Sequence, residues 1–266
     1  MVLLGTLAVL FAACVSGLPS AAGDGPILDP RQNIPIPPAL SQFPSGLLNQ
    51  FLRMISMLPQ GAAALDAIGL ILVPLQQQLA DATGIDTTEN DLARNAACAD
   101  VTVVFARGTV EPGNAGLFVG PPFFDALKKK LAGRTLAVQG VDYPATFAGF
   151  NRNGTDGVPS MTKYLNQAIT ACPKTKVVMS GYSQGSLVVR STAKSLPAGT
   201  MSKINSVITF GDPRGKSAIP GAVGKQLTIC HPNDAVCSGG FITVDHLTYG
   251  EDANTAAQFV VQQAGA

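Results

Sequence analysis

Short, continuous apolar runs alternate with segments of helical spacing through the last two-thirds of the chain. Val101-Thr-Val-Val-Phe105, Thr135 to Val141, Lys176 to Ser180, Ile204 to Phe210 and Gln226 to Ile229 are rich in β-branched residues and predict strands. Phe123 to Leu131, Met161 to Ala171 and Ser186 to Ser195 predict the helices between them, and a last helix is expected from about Ala253 to Gln263. Such alternation implies a parallel sheet covered on both faces. Strands that are apolar throughout, rather than at every second position, agree with burial on two sides. The expected class is α/β, three layers around a central, mostly parallel five-stranded sheet.

The N-terminal part reads differently. Met1 to Ala13 is almost wholly apolar and small residues follow through Ser16, Gly17, Ser20 and Ala21, which predicts a signal peptide over residues 1–20, cleaved between Gly17 and Gly23. Its apolar core is too short to span a membrane. Asp24 to Pro44 is rich in proline, as linkers and propeptides are. From Leu47 to Ala80, apolar residues such as Leu48, Phe51, Ile55, Ile68, Leu72, Leu75 and Leu79 recur at helical spacing. Gly61 and Pro74 interrupt them and predict two short helices. Residues 21–96 thus form an extension ahead of a domain at 97–266. Two readings of it stand: a propeptide or helix packed on the main domain, or an amphipathic, lid-like cover that meets lipid.

Composition narrows the function classes. Of 266 residues 46% are hydrophobic and 13% charged, with a formal net charge of +1. No basic stripe is present of the kind that captures nucleic acid, and a lightly charged surface suits an apolar or uncharged substrate. Apart from Cys14 in the predicted signal, Cys98, Cys172, Cys230 and Cys237 make an even set, which in a secreted chain points to disulfides. Cys230 and Cys237 flank the turn Pro232-Asn233-Asp234 and are natural partners, leaving Cys98 for Cys172. Paired Cys-x-x-Cys units of the zinc-binding type are missing. Asn153-Gly154-Thr155 is a glycosylation sequon and suggests an exposed loop.

The chemistry centres on Gly181-Tyr182-Ser183-Gln184-Gly185, a G-x-S-x-G that follows a predicted strand and precedes a predicted helix. In that context the serine is a nucleophile on a tight strand-to-helix turn, and the Gln184 N–H points at a developing oxyanion. Serine needs a base, and the chain has two histidines. The order Ser, acid, His selects His246 as the base and leaves His231 as a surface loop residue. Asp212, Asp234 and Asp245 compete as the acid. Asp245 adjoins His246 and is badly placed to meet its ring, and Arg214 offers Asp212 a salt bridge. Asp234, clamped between Cys230 and Cys237, is preferred, with Asp212 the alternative. The loop Ala106-Arg107-Gly108-Thr109 supplies a second oxyanion donor in Thr109, an ordinary glycine turn being the other reading. Phe241, Ile242, Val244 and Leu247 form either an apolar rim for acyl chains or part of the core. This chemistry calls for no metal or organic cofactor.

Together, Cys98-Ala-Asp-Val-Thr-Val-Val-Phe-Ala-Arg-Gly-Thr-Val-Glu-Pro-Gly-Asn114, Ala171-Cys-Pro173, Ser180-Gly-Tyr-Ser-Gln-Gly185, Cys230-His-Pro-Asn-Asp-Ala-Val-Cys237 and Asp245-His-Leu-Thr-Tyr-Gly250 resemble the cutinase family of secreted α/β-hydrolase esterases. The resemblance covers Cys98 to about Phe259. It implies the disulfides Cys98–Cys172 and Cys230–Cys237, a triad of Ser183, Asp234 and His246, and an oxyanion hole from Thr109 and Gln184. Many members carry serine where Thr109 stands, and the extension is longer than the family's usual N-terminus. The implied activity is hydrolysis of cutin and related short- to medium-chain esters through an acyl-enzyme. A monomer in transient contact with a lipid or cuticle surface is expected. An acetylxylan esterase or a lipase on the same scaffold is the enzymatic alternative, and an inactive secreted surface binder the non-enzymatic one.

Overall fold

Four of the five apolar runs become strands buried on both faces, and the fifth, Gln226 to Ile229, forms a partly buried edge strand. The computed structural model describes residues 36–58 and 62–265. In chain order the elements are α1 (Ser45–Ser56), α2 (Ala62–Thr83), β1 (Val101–Ala106), α3 (Gly120–Lys130), β2 (Leu136–Gly140), α4 (Phe147–Asn151) and α5 (Val158–Ala171). They continue with β3 (Lys176–Tyr182), α6 (Gln184–Ser195), α7 (Ala198–Met201), β4 (Ile204–Phe210), β5 (Gln226–Ile229) and α8 (Ala253–Gln263). The sheet order is β2-β1-β3-β4-β5 and every pairing is parallel. Phe105 stands opposite Gly140 on one side and Ser180 on the other.

Alternate residues along β1 feed two separate cores, as the strand pleat requires. Val103 and Phe105 join the cluster under α1, α2, α3 and α8. Val104 and Ala106 join the one that includes Leu165 and Ala168 of α5 and Val188 and Val189 of α6. The chain moves from β1 to β2 in one direction and then crosses back to β3 on the other flank of β1. The carboxyl ends of β1 and β3 therefore frame a crevice at a topological switch point, where open α/β sheets place their ligands.

The exposed edge of β2 is covered by the segment before β1. Asn90 bridges Gln139 in antiparallel fashion, the Asp91 N–H donates to the Val138 carbonyl at 3.1 Å, and the Gly140 N–H donates to the Glu89 carbonyl at 2.9 Å. Blocking an edge in this way removes a template for strand addition. Cys98 is bonded to Cys172 and Cys230 to Cys237. Asn153 is exposed at a turn with φ of 55°, and its Oδ1 accepts from Arg214 Nη2 at 2.6 Å.

The N-terminal helices end at Ser56 and restart at Ala62, on either side of Gly61, which lies outside the described residues. The predicted stop at Pro74 does not occur, since α2 runs through it. Proline removes the bond to the carbonyl four residues back, here that of Leu70. Leu70 is 79% exposed and Pro74 is also exposed, so water can take that carbonyl. Leu48, Phe51, Leu52 and Ile55 of α1 and Leu72, Leu75 and Leu79 of α2 are buried in the cluster shared with β1, α3 and α8. No helix of the described residues is long and apolar enough to cross a membrane. The predicted signal at 1–20, with Cys14, and the start of the proline-rich stretch lie outside the described residues.

Candidate active site

One residue makes the turn between β3 and α6. Ser183 has φ of 54° and ψ of −117°, a sparsely populated conformation for a residue with a side chain. The flanking glycines are imposed by packing: a Cβ on Gly181 would lie 2.3 Å from the Gly185 carbonyl oxygen, and one on Gly185 1.9 Å from that of Ala106. The turn is pinned to β4, because the Ser183 N–H donates to the Phe210 carbonyl at 2.9 Å, and the Ser186 hydroxyl bonds the Gly181 and Phe210 carbonyls. Ser183 thus sits at the N-terminus of the twelve-residue α6, where unpaired N–H groups and the helix dipole favour negative charge.

His246 and Asp234 continue the line from Ser183. The Ser183 hydroxyl lies 2.9 Å from His246 Nε2, and His246 Nδ1 lies 2.7 Å from Asp234 Oδ2. With Nδ1–H given to the carboxylate, Nε2 is left to accept the serine proton. Asp234 also takes the Tyr249 hydroxyl on Oδ2 at 2.7 Å and the Val236 N–H on Oδ1 at 3.0 Å. Burial by itself would raise the Asp234 carboxyl. The His246 bond and charge, with the Tyr249 and Val236 donors, outweigh it and hold the group below the usual carboxylate range. The Tyr182 hydroxyl donates to the His246 carbonyl at 2.7 Å and anchors the histidine's backbone.

The other candidates are engaged elsewhere. Asp212 is buried against Arg190 Nε at 2.7 Å, and Arg214 meets it only through a backbone N–H at 2.9 Å, so the ion pair expected with Arg214 is made by Arg190. His231 is half-buried rather than a surface residue. Its Nε2 lies 2.6 Å from Asp252 and its ring stacks on Tyr249 at 4.1 Å between centroids.

Thr109 lines the same small cavity as Ser183 and His246, about 30 Å³ in volume. Ile242 and Leu247 line it too, Val244 packs against the neighbouring core, and Phe241 is exposed. Gln184 is the first residue of α6, so its N–H has no carbonyl one turn earlier in the helix. Among the described residues no cluster of three or more His, Cys, Asp and Glu side chains is placed to hold a metal ion.

Several residues escaped the sequence reading. The buried Glu111 carboxylate accepts the N–H of Gly108 at 2.7 Å, Leu117 at 2.9 Å and Phe118 at 3.0 Å, and so knits together the loop that carries Thr109. Burial pushes this carboxyl up, and the three amide donors and Arg107 only partly offset it. Phe51 and Ile55 of α1 and Gln76 of α2 line the cavity. Helical spacing pairs Phe51 with Ile55 but does not say what they cover, and the one available signal for Gln76 was an amide on an otherwise apolar stripe.

The family model described as Cutinase matches residues 97–264. A cutinase of Hypocrea jecorina is 44% identical over 230 residues, 85% of this chain and 90% of that protein. A cutinase of Pyrenopeziza brassicae is 44% identical over 75% of this chain and 98% of its own length. The structure of Trichoderma reesei cutinase in complex with a C11Y4 phosphonate inhibitor is 43% identical, with a TM-score of 0.72, and covers 82% of this chain and 98% of that one. An acetylxylan esterase is 20% identical with a TM-score of 0.53 over 64% of this chain and all of its own, a likeness of fold alone. The chain belongs to the cutinase family of carboxylic ester hydrolases.

Proposed function

We propose that this protein is a secreted cutinase that cleaves cutin and related short- to medium-chain esters through an acyl-enzyme on Ser183. The observation that carries the reading is the unbroken line from Ser183 Oγ to His246 to Asp234, at 2.9 and 2.7 Å. His246 takes the Ser183 proton as Oγ attacks the ester carbonyl, and Asp234 holds the ring and offsets the imidazolium charge. The N–H groups of Gln184 and Thr109, with the Thr109 hydroxyl, take the oxyanion. His246 then passes its proton to the leaving alcohol, and a water activated by the same ring releases the acid. The phosphonate complex of the Trichoderma reesei relative supports an ester substrate, because a tetrahedral phosphonate has the shape of this intermediate.

The lining of Phe51, Ile55, Phe118, Phe147, Ile242 and Leu247 favours an apolar acyl chain over an acetylated sugar. Ser183 is 5% exposed, and Phe51 and Ile55 of α1 line the small cavity it faces. Helix α1 of the extension at 21–96 therefore acts as a cover over the domain at 97–266, with Phe51 and Ile55 as the roof. Substrate enters when the roof lifts at a lipid or cuticle surface. Residues 1–20 act as the export signal, and the two disulfides suit an oxidising destination. Ser183→Ala is expected to abolish hydrolysis of a p-nitrophenyl butyrate ester while leaving the thermal melt in place. Retained turnover would refute the reading.

A further inference from the structure

The side of α2 that faces the site is attached to it by a specific bond. Gln76 is 1% exposed, and its Nε2 donates to the Val110 carbonyl at 2.9 Å. A longer contact from the same nitrogen reaches the Leu72 carbonyl at 3.4 Å. Two carbonyl acceptors settle which end of the carboxamide is the nitrogen. Gln76 Oε1 is buried without a protein partner, so the amide is not there to complete its own bonding.

Val110 is itself held in an unfavourable conformation. Its φ is 54°, in the left-handed region that a β-branched residue rarely enters. Its N–H donates to the Ala145 carbonyl at 2.8 Å, and its carbonyl takes Gln76. Gly69 lies seven residues before Gln76, on the same face of α2. A Cβ on Gly69 would stand 3.0 Å from Val110 Cγ1. The helix therefore meets Val110 at two points, one polar and one of close approach. Val110 directly follows Thr109, and the Glu111 carboxylate holds Gly108 on the other side of it.

We infer that α2 is a positioning element for the oxyanion loop. Gln76 and Gly69 keep Val110 in its left-handed conformation and so aim Thr109 at the ester carbonyl oxygen. The inference rests on the proposed role of Thr109, and it divides the cover into two parts. α2 is a fixed support, and α1, whose buried side chains are Leu48, Phe51, Leu52 and Ile55, is the part that lifts. The support comes from outside residues 97–264, the span matched to the family.

Three full-length variants test this on soluble p-nitrophenyl butyrate. Gln76→Leu keeps the bulk, deletes the donor and removes a buried unpaired oxygen; kcat is expected to fall about tenfold with KM within twofold. Adding Val110→Gly is expected to restore most of the loss, because glycine takes a positive φ unaided. Gly69→Ala improves helix propensity yet crowds Val110, so kcat is expected to fall while the melting temperature holds or rises. Unchanged kcat in Gln76→Leu, or a loss that Val110→Gly does not relieve, overturns the inference. Mass spectrometry of the parent after reaction with a p-nitrophenyl alkylphosphonate is read separately. Failure to find the adduct on Ser183 overturns the serine-esterase reading, whereas an adduct on Ser183 together with unchanged kcat in Gln76→Leu overturns only the role of α2.

Discussion

Glu111 shows at the scale of one residue how much of the site is indirect. It lies within a quoted motif, yet nothing in its position along the chain reveals that its carboxylate gathers three amide donors. Two oxygens serve three N–H groups, and glutamine offers one oxygen and an amine that repels the rest. Glu111→Gln is therefore expected to lower kcat by at least tenfold, as loss of one oxyanion donor does. Leaving a buried amide unpaired also costs about 1–3 kcal/mol of stability. Steady-state rates and a thermal melt check both. By contrast, the meeting of Ser183 and His246 at 2.9 Å was anticipated, because local sequence context and chain order single out a candidate elbow and base. Which of Asp234 and Asp212 lies against His246 was only half legible. It turned on Arg190, which is 22 residues from Asp212 in the chain and 2.7 Å away in space.

The five strands and the helices of the domain were legible at the scale of elements, since each is a run whose period its own residues set. Pro74 was misleading, because the cost of proline in a helix depends on whether water reaches the freed carbonyl, which local sequence does not state. The two disulfides act on different elements. Cys98–Cys172 closes a separation of 74 residues and Cys230–Cys237 one of 7. Loop entropy makes the first worth roughly 4 kcal/mol and the second roughly 2 kcal/mol. The shorter ring, however, contains Asp234. Replacing Cys98 and Cys172 by alanine is expected to lower the melting temperature more, and replacing Cys230 and Cys237 to lower kcat more. The reverse order would show that the short ring is not what holds the carboxylate.

At the scale of the whole molecule, helix α1 reaches the cavity at Ser183. Phe51 is buried against Phe118, with ring centroids 5.4 Å apart, and lines the same cavity as Ser183. Phe51→Ala is expected to cost about 3–5 kcal/mol of stability and yet to raise turnover of a soluble ester. The parent is expected to favour emulsified tributyrin over the same ester below its solubility limit, and the variant to narrow that ratio. An unchanged ratio would remove α1 from the role of roof. By itself the sequence determined the α/β class, the strand and helix succession and the positions able to act as nucleophile and base. All of these follow from local period, local turn chemistry or order along the chain. Tertiary structure alone decided that Arg190 pairs with Asp212, that Glu111 and Gln76 bond the loop bearing Thr109, and that Phe51 and Ile55 of α1 line the cavity at Ser183. Each of these joins residues far apart in the chain, and such pairings are set by how helices pack on the two faces of the sheet, which no stretch of sequence carries in its own pattern.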